Sequence, residues 1–238
     1  MQGKIYLIPN TLGDCSIDAA IPHEVKFLAS KIRYFIVENE RTVRRYLKKI
    51  DKSIDIDALQ FFLLNKHTEK KDLTDFIKPA LEGNDIGIIS EAGIPCIADP
   101  GSEIVLLAHK KNIPVVPLVG PSSIFLALMA SGLNGQNFAF NGYLPIESNQ
   151  RIKKLKELEK RSLYEDQTQI FMETPYRNNQ LNQDIFKACN DNTLLCIASN
   201  ITTPDENIKT RSVSEWEKNP PDLHKIPCIF ILKQSKRK

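Results

Sequence analysis

Residues Ser90–Gly101 read SEAGIPCIADPG and directly follow the apolar run IGII at Ile86–Ile89. The segment holds two acidic residues, two glycines and two prolines, which is the composition of a loop. A short apolar run followed at once by such a loop is typical of a buried parallel strand. Because open α/β sheets bind ligands at the carboxyl ends of their strands, this stretch predicts both the fold class and a candidate site.

Short runs rich in β-branched and aromatic residues recur around this segment, separated by stretches with helical periodicity. We expect Pro22 to open one helix and Ser102 to cap another that runs to Lys111. The strands predicted for the first half of the chain are Ile5–Ile8, Tyr34–Val37, Phe61–Leu64, Ile86–Ile89 and Val115–Leu118. This alternation predicts a mostly parallel sheet covered by helices.

The segment PVVPLVGP at residues 114–121 contains three prolines and a glycine and marks a domain junction. We therefore predict an N-terminal α/β domain over residues 1–119 and a C-terminal α/β domain over residues 120–238. The second domain is expected to carry a mixed sheet, because its last strands have only short connections between them. Its predicted elements are a helix from Ser122 or Ser123 to Gly132, a strand at 138–140, a helix at 151–160, a strand at 169–172, a helix after Tyr176, and strands at 194–198 and 228–232.

Composition excludes several classes of protein. In 238 residues, 42% hydrophobic and 26% charged side chains are near the globular average and argue against disorder. No apolar run reaches the roughly 18 residues of a membrane span, so we expect a cytoplasmic protein. Four of the cations behind the net charge of +3 lie in the last six residues, KQSKRK, which leaves a nearly neutral body. Scattered cysteines and histidines predict neither a disulfide framework nor a metal site.

Two loops are candidate ligand contacts. Glu91, just past a strand, is placed to accept hydrogen bonds from a ribose diol or to face a cation. The alternative is that Glu91 and Asp99 only cap turns and helices. The turn before Ser122 and Ser123 leads into a helix whose free N–H groups suit a carboxylate or phosphate, although most such helix starts bind nothing.

The segment ENERTVRRYLKKI, Glu38–Ile50, predicts an amphipathic helix with one apolar and one cationic face. The cationic stripe consists of Arg41, Arg44, Arg45 and Lys48. Such a stripe can follow a polyphosphate backbone, or it can be an ordinary solvated face. His67 and Glu69 follow another predicted strand and are candidate general bases, with a structural role as the alternative for a lone histidine.

Three long motifs, in order, make the chain similar to the tetrapyrrole methylase family of S-adenosylmethionine-dependent methyltransferases. Within that family it resembles the branch that methylates cytidine 2′-hydroxyls of small-subunit ribosomal RNA. Ser90–Gly101 resembles SDAGTPLISDPG, Val116–Leu133 resembles VPLPGPSALIAALSASGL, and Phe138–Pro145 resembles FLFEGFLP. Shorter matches are Val37–Arg41 with AEDTR, Asn65–Glu69 with HEHNE, and Phe171–Arg177 with FYESPHR.

The resemblance implies a two-domain protein, usually a homodimer, that holds S-adenosylmethionine in the cleft between its domains, with ribosomal RNA or the small ribosomal subunit as partner and no metal. Glu38, Arg41, His67 and Glu69 would face the methyl acceptor, and Glu38, His67 or Glu69 would supply the base that a ribose hydroxyl needs. The cofactor contacts that it implies are Leu12, Glu91, Ile94, Ser122, Ser123, Ile124, Met172, Ala198 and Pro227.

Departures from the branch keep two alternatives open. Glu91 stands where the branch has aspartate, Ile94 where it has threonine, and residues 198–206 lack a lysine and an arginine of the branch. The first alternative is methylation of a corrinoid or porphyrinoid ring, the activity that names the wider family. The second is a protein that binds S-adenosylmethionine without transferring its methyl group.

Overall fold

The computed structural model describes residues 2–65, 68 and 72–234. The chain forms two compact units, one up to Ser122 and one from Ser123 onward. The division into domains between residues 119 and 120 stays a prediction. No helix in the described part of the chain combines the length and the apolar character that a membrane crossing requires.

The first unit is built on a five-stranded sheet in the order β3-β2-β4-β1-β5, with every neighbouring pair parallel. The strands are β1 (Ile5–Ile8), β2 (Tyr34–Val37), β3 (Gln60–Leu63), β4 (Ile86–Ile89) and β5 (Val115–Pro117). The helices are α1 (Ile17–Ala20), α2 (His23–Lys31), α3 (Glu40–Ile50), α4 (Asp72–Phe76), α5 (Lys78–Leu81) and α6 (Ser102–Lys110), with a 3-10 turn at Ile56–Ala58. The predicted parallel sheet is confirmed, and three of its five strands have the predicted bounds.

Both faces of this sheet are buried. Along β1, Ile5 and Leu7 pack into one apolar cluster, while Tyr6 and Ile8 pack into the other. Ile36 of β2 lies in the first of these clusters, between Phe35 and Val37 in the second. A strand that is covered on both faces needs apolar residues at nearly every position, which is why these strands read as continuous apolar runs.

Two helix starts differ in detail from the expectation. Pro22 is the residue before α2, and Ser102 is the first residue of α6, whose N-cap is Gly101. Gly101 has φ of +127°, and a Cβ there would lie 2.8 Å from Sγ of Cys96. The tight turn before α6 therefore requires glycine at the cap, so the prediction of Ser102 as N-cap is wrong by one position.

The second unit carries a five-stranded mixed sheet in the order β6-β7-β10-β8-β9. Strands β6 and β7 are parallel, whereas β10 runs antiparallel to β7 and β8, and β9 antiparallel to β8, which confirms the predicted mixed sheet. The strands are β6 (Phe138–Tyr143), β7 (Thr168–Met172), β8 (Leu194–Ser199), β9 (Asn207–Ser212) and β10 (Cys228–Lys233). The helices are α7 (Ser123–Ser131), α8 (Ser148–Tyr164), α9 (Asn178–Ala188) and α10 (Val213–Lys218).

A buried ion pair ties α8 to α9. Arg151 donates from Nε and Nη2 to Oδ2 of Asp184 at 2.8 and 2.6 Å, and Ser148 donates to the same carboxylate at 2.9 Å. The remaining Arg151 donor, Nη1, reaches the carbonyl oxygens of Pro145 and Ile146 at 3.2 and 2.6 Å. Arg151 thus belongs to the core of the second unit and not to an exposed basic face.

Candidate functional site

The loops after β2 and β4 lie at a switch point of the first sheet. These two strands are neighbours, and the chain leaves β2 toward β3 on one side and leaves β4 toward β5 on the other. Loops that diverge in this way open a crevice at the carboxyl ends of the strands, where α/β folds bind ligands. The segment Ser90–Gly101 is the loop after β4, as predicted.

Asn10, in the loop after β1, holds that loop against the loop after β4. Its buried side chain donates from Nδ2 to the carbonyl oxygens of Ser90 and Glu91 at 3.1 and 3.0 Å, and its backbone N–H donates to Gly93 at 2.8 Å. Tyr46 of α3 donates its hydroxyl to the carbonyl of Pro9 at 2.5 Å. Each bond satisfies a backbone group of an irregular loop that is partly withdrawn from water, so the crevice has fixed walls.

Two glycines permit close contact among the loops that follow β1, β4 and β5. Gly93 has φ of +69°, and a Cβ there would lie 2.9 Å from Cδ2 of Leu12 and 3.2 Å from the carbonyl oxygen of Pro121. A Cβ on Gly120 would lie 2.1 Å from Cβ of Pro9. The structure therefore brings Leu12 beside the loop that carries Glu91 and Ile94, and the end of the β5 loop beside both.

Three carboxyl groups meet at this edge of the sheet. Glu38 directly follows β2, while Glu91 and Asp99 lie in the loop after β4. Glu91 is exposed and accepts a hydrogen bond from Oγ1 of Thr42 at 2.5 Å. Glu38 is half-buried, and its Oε1 is a buried atom without a hydrogen-bond partner in the part of the chain that the structure describes.

These carboxyl groups perturb one another. Burial raises the pKa of Glu38, and the negative charges of Asp99 and Glu91 raise it further, against a lowering by the backbone N–H of Glu91. Burial and then the charge of Glu91 raise the pKa of Asp99 to about 6. Burial, followed by the charge of Asp99, raises the pKa of the Cys96 thiol to about 11, so this cysteine is a neutral thiol near pH 7. The carboxyl ends of these strands therefore carry half-buried carboxyl groups with raised pKa values, an arrangement typical of functional centres.

Helix α3 positions the predicted cationic stripe with its apolar face against the core. Val43, Tyr46 and Leu47 are buried, as the periodicity predicts. Part of the stripe is used within the unit, because Arg44 pairs with Glu40 at 2.7 Å and lies over the ring of Phe61 at 5.3 Å.

The remaining cations of the stripe differ in exposure and partners. Lys48 donates to the carbonyl of Lys52 at 2.9 Å. Arg41 and Arg45 are exposed and form no ion pair with any described residue. His67 and Glu69, the other candidate bases, lie outside the described residues.

In the second unit, three predicted contacts lie at one edge of the sheet. Met172 ends β7 and Ala198 lies near the end of β8, and both are in register with Ile229 of β10. Pro227 precedes β10, and its carbonyl accepts a hydrogen bond from Asn200 N–H at 3.1 Å. Because β10 runs antiparallel to both neighbours, its beginning lies where β7 and β8 end.

The remaining predicted contacts surround the start of α7. Ser123 and Ile124 are its first two residues, and Ser122, which is buried, is the last residue of the first unit. The structure gives the position of each of these residues, and their role in cofactor binding stays a prediction.

Sequence reasoning missed Asn10 and Thr42 in the first unit, and it named Asp99 only as a possible capping residue. Asn10, Thr42 and Asp99 hold or perturb the edge that carries Glu38 and Glu91. Asp99 lies in the segment Ser90–Gly101, which the sequence already indicates as a candidate ligand loop, so its proximity to Glu91 could have been considered. Asn10 and Thr42 form hydrogen bonds with residues more than forty positions away, and no local sequence pattern predicts such bonds.

The model of the family described as Tetrapyrrole (Corrin/Porphyrin) Methylases matches residues 18–217, and the chain belongs to this family of methyltransferases. Among its relatives is "Ribosomal RNA small subunit methyltransferase I" of Escherichia coli O157:H7, 29% identical, with 99% of this chain and 79% of the relative covered. The protein of the same name from Buchnera aphidicola subsp. Schizaphis graminum is 31% identical, with 97% and 78% covered.

A solved structure supports the fold. The crystal structure of the methyltransferase CobJ matches with a TM-score of 0.65 over 98% of this chain and 94% of that chain, at 15% identity. At this level of identity the match establishes the fold shared by the two proteins. The residues of the site must be judged from this chain itself.

Proposed function

We propose that the protein methylates a ribose 2′-hydroxyl of small-subunit ribosomal RNA with S-adenosylmethionine as donor. The names of its relatives point to this RNA. The observation that carries the reaction class is the carboxyl of Glu38, which has a raised pKa and a buried oxygen without a donor. A ribose hydroxyl is a weak acid, and a base of raised pKa is better suited to accept its proton.

The residues at this edge fit the donor. When bound, S-adenosylmethionine supplies an electrophilic methyl group on a positively charged sulfur. Glu38, Glu91 and Asp99 provide negative charge for that cation, and Glu91 is placed to accept from a ribose diol. Gly93 leaves its loop open to close approach by a ligand or neighbouring backbone. The donor contacts that we propose in the first unit are Leu12, Glu91, Ile94 and Ser122. Those that we propose in the second unit are Ser123, Ile124, Met172, Ala198 and Pro227.

In the proposed reaction, Glu38 accepts the hydroxyl proton as the ribose oxygen attacks. Thr42 fixes Glu91, and Asn10 fixes the loop that carries Glu91, so the contacts to the donor are set before the acceptor arrives. Arg41, with Arg45 one turn along α3, offers exposed donors to the phosphates that flank the acceptor. His67 and Glu69 remain candidate acceptor contacts.

We also propose that the protein works in the cytoplasm as a homodimer. Phe125 and Met129, one turn apart on α7, are 54% and 77% exposed, and Phe125 packs edge-on against Phe138 of the edge strand β6. Exposed apolar residues adjoining an edge strand suit a subunit contact. Sedimentation of the wild type and of Met129→Lys tests this contact, and a monomeric wild type would contradict it.

The decisive experiment uses purified protein, methyl-labelled S-adenosylmethionine, and small ribosomal subunits from cells that lack their own enzyme of this type. We expect label in the RNA with the wild type, and a rate lower by about 100-fold or more with Glu38→Gln. Glu82→Gln, an exposed carboxylate shortly before β4 and so at the opposite edge of the sheet, is the matched control and should leave the rate unchanged.

Donor affinity, measured by calorimetry, separates loss of the base from loss of the donor site. If the wild type binds the donor and leaves the RNA unlabelled, the RNA assignment fails, and corrinoid or porphyrinoid rings become the acceptors to test. Equal rates for Glu38→Gln and Glu82→Gln would remove Glu38 as the base.

A further inference from the structure

The segment Glu173–Arg177 begins directly after Met172 at the end of β7, and its side chains have no role in the function proposed above. Glu173 is only 4% exposed. Its Oε1 accepts hydrogen bonds from Nη2 of Arg177 and from the backbone N–H of Thr174, each at 2.6 Å. The buried carboxylate thus holds the guanidinium of Arg177, and 32% of the Arg177 side chain remains exposed.

A guanidinium held in this way is prepared to bind an anion. Arginine recognises phosphate through two parallel donors in a rigid plane, and prior fixation removes part of the entropy cost of binding. Glu173 lowers that cost through its hydrogen bond to Arg177 and is itself buried.

Tyr176 precedes Arg177 in the sequence and is 69% exposed. Its ring meets that of His224 edge-on, with 6.2 Å between centroids and 74° between planes. The neighbouring Lys225 is exposed, and its backbone N–H donates to the carbonyl of Pro175 at 3.0 Å, which ties the two segments together. The Tyr176 ring is therefore largely exposed to solvent and is supported by a second aromatic ring.

We propose that Tyr176 and Arg177 bind an unpaired nucleotide of the RNA, with its base stacked on Tyr176 and a phosphate bound by Arg177. This inference rests on the proposed function and adds an acceptor-binding surface in the second unit. Proteins that read RNA splay unpaired bases onto aromatic rings and bind the backbone with cations. The surface directly follows Met172, a proposed donor contact, which suits a nucleotide near the one that reacts.

The chain offers a matched control in Tyr164. This tyrosine is 68% exposed and has Lys160 over its ring at 5.9 Å, so it also pairs an exposed aromatic ring with a neighbouring cation. It ends α8 and lies before β7, whereas Tyr176 lies after that strand. Tyr164→Ala and Tyr176→Ala therefore remove equally exposed rings from the two ends of one strand.

The test measures binding of the full chain to small ribosomal subunits, methylation of their RNA, and donor affinity for each variant. Tyr176→Ala should weaken subunit binding and raise the KM for subunits by about ten-fold, with donor affinity unchanged, whereas Tyr176→Phe and Tyr164→Ala should stay within about two-fold of the wild type. Arg177→Gln is combined with Glu173→Gln, because a buried Glu173 without its cation would destabilise the fold. The double variant should lower the slope of log affinity against log salt by about one.

The outcomes separate this inference from the proposed function. A wild type that methylates the RNA, with Tyr176→Ala equal to Tyr164→Ala, would overturn the inference and leave the proposed function standing. Loss of donor affinity in Tyr176→Ala would also overturn it, because the ring would then belong to the donor site. A wild type that neither binds nor methylates the subunits would refute both.

Discussion

Replacement of Asp99 by asparagine should stabilise the protein at neutral pH and leave its stability unchanged in acid. The carboxyl of Asp99 is half-buried and lies near the charge of Glu91, and both conditions disfavour its ionised form in the folded state. Asparagine has nearly the same shape and carries no charge. The substitution therefore removes an electrostatic cost without removing packing.

The size of the effect follows from the pKa. Its rise from 3.8 to about 6 corresponds to at most about 3 kcal/mol at pH 8. Solvent reaches part of the carboxyl and screens its interactions, so we expect about 1 kcal/mol. Because folding raises this pKa, the cost is fully present above about pH 6 and disappears below pH 3.8, where the group is protonated in both the folded and unfolded states.

Urea unfolding followed by circular dichroism, at pH 8 and at the lowest pH at which the fold persists, measures this difference. We expect Asp99→Asn to be more stable than the wild type at pH 8, and the gain to shrink steadily as the pH falls. Glu82→Gln, an exposed change, should show no such trend. A loss of stability at pH 8, or a gain that does not depend on pH, would refute the electrostatic account of this edge.

Three further predictions concern other contacts. Arg151→Met should cost about 3–5 kcal/mol in urea unfolding, because Asp184 is left buried without its cation, and Asp184→Leu in the same chain should recover most of that loss; no recovery would contradict it. Thr42→Val should weaken donor binding several-fold in calorimetry, and Thr42→Ser should restore it, because the hydroxyl holds the carboxylate of Glu91, a proposed donor contact; equal affinities for the two variants would contradict this role of Thr42. Gly93→Ala should lower stability by about 1–2 kcal/mol, while Gly135→Ala, with nothing within 4 Å of its added Cβ, should be nearly neutral in the same assay; matching losses would show that the close approach is unimportant.

The first unit was largely predictable because its inner strands β1, β2 and β4 are buried on both faces. Continuous apolar runs such as Ile86–Ile89 stand out in a sequence, and the loops between them carry proline and glycine. Strand β9, Asn207–Ser212, escaped the prediction because NIKTRS is polar and lies at the edge of the second sheet with one neighbouring strand. Helix α10 follows it and was also missed, although Ser212 and Glu215 form a capping box that the sequence displays.

The candidate site was only partly predictable because it is assembled from distant segments. Glu91 follows a visible strand, and its position relative to that strand is a local property. The perturbation of Glu38 depends on Asp99, sixty-one positions away, and on burial that only the fold creates. Thr42 stands within the cationic helix, where its bond to Glu91 has no counterpart in helical periodicity.

Two clusters of ionisable groups in this protein follow opposite physical rules, and the contrast indicates which of them serves a reaction. Arg151 and Asp184 are buried, oppositely charged and fully hydrogen-bonded, so their arrangement is explained by the packing of α8 on α9 alone. Glu38, Glu91 and Asp99 carry the same charge, raise the pKa of two of their members, and leave a buried oxygen without a donor. Folding gains nothing from such an arrangement, since separation of the three groups would relieve the repulsion. A cluster that costs stability and lies at a switch point of a parallel sheet supports the proposal that a cationic ligand binds there and that a proton is accepted there.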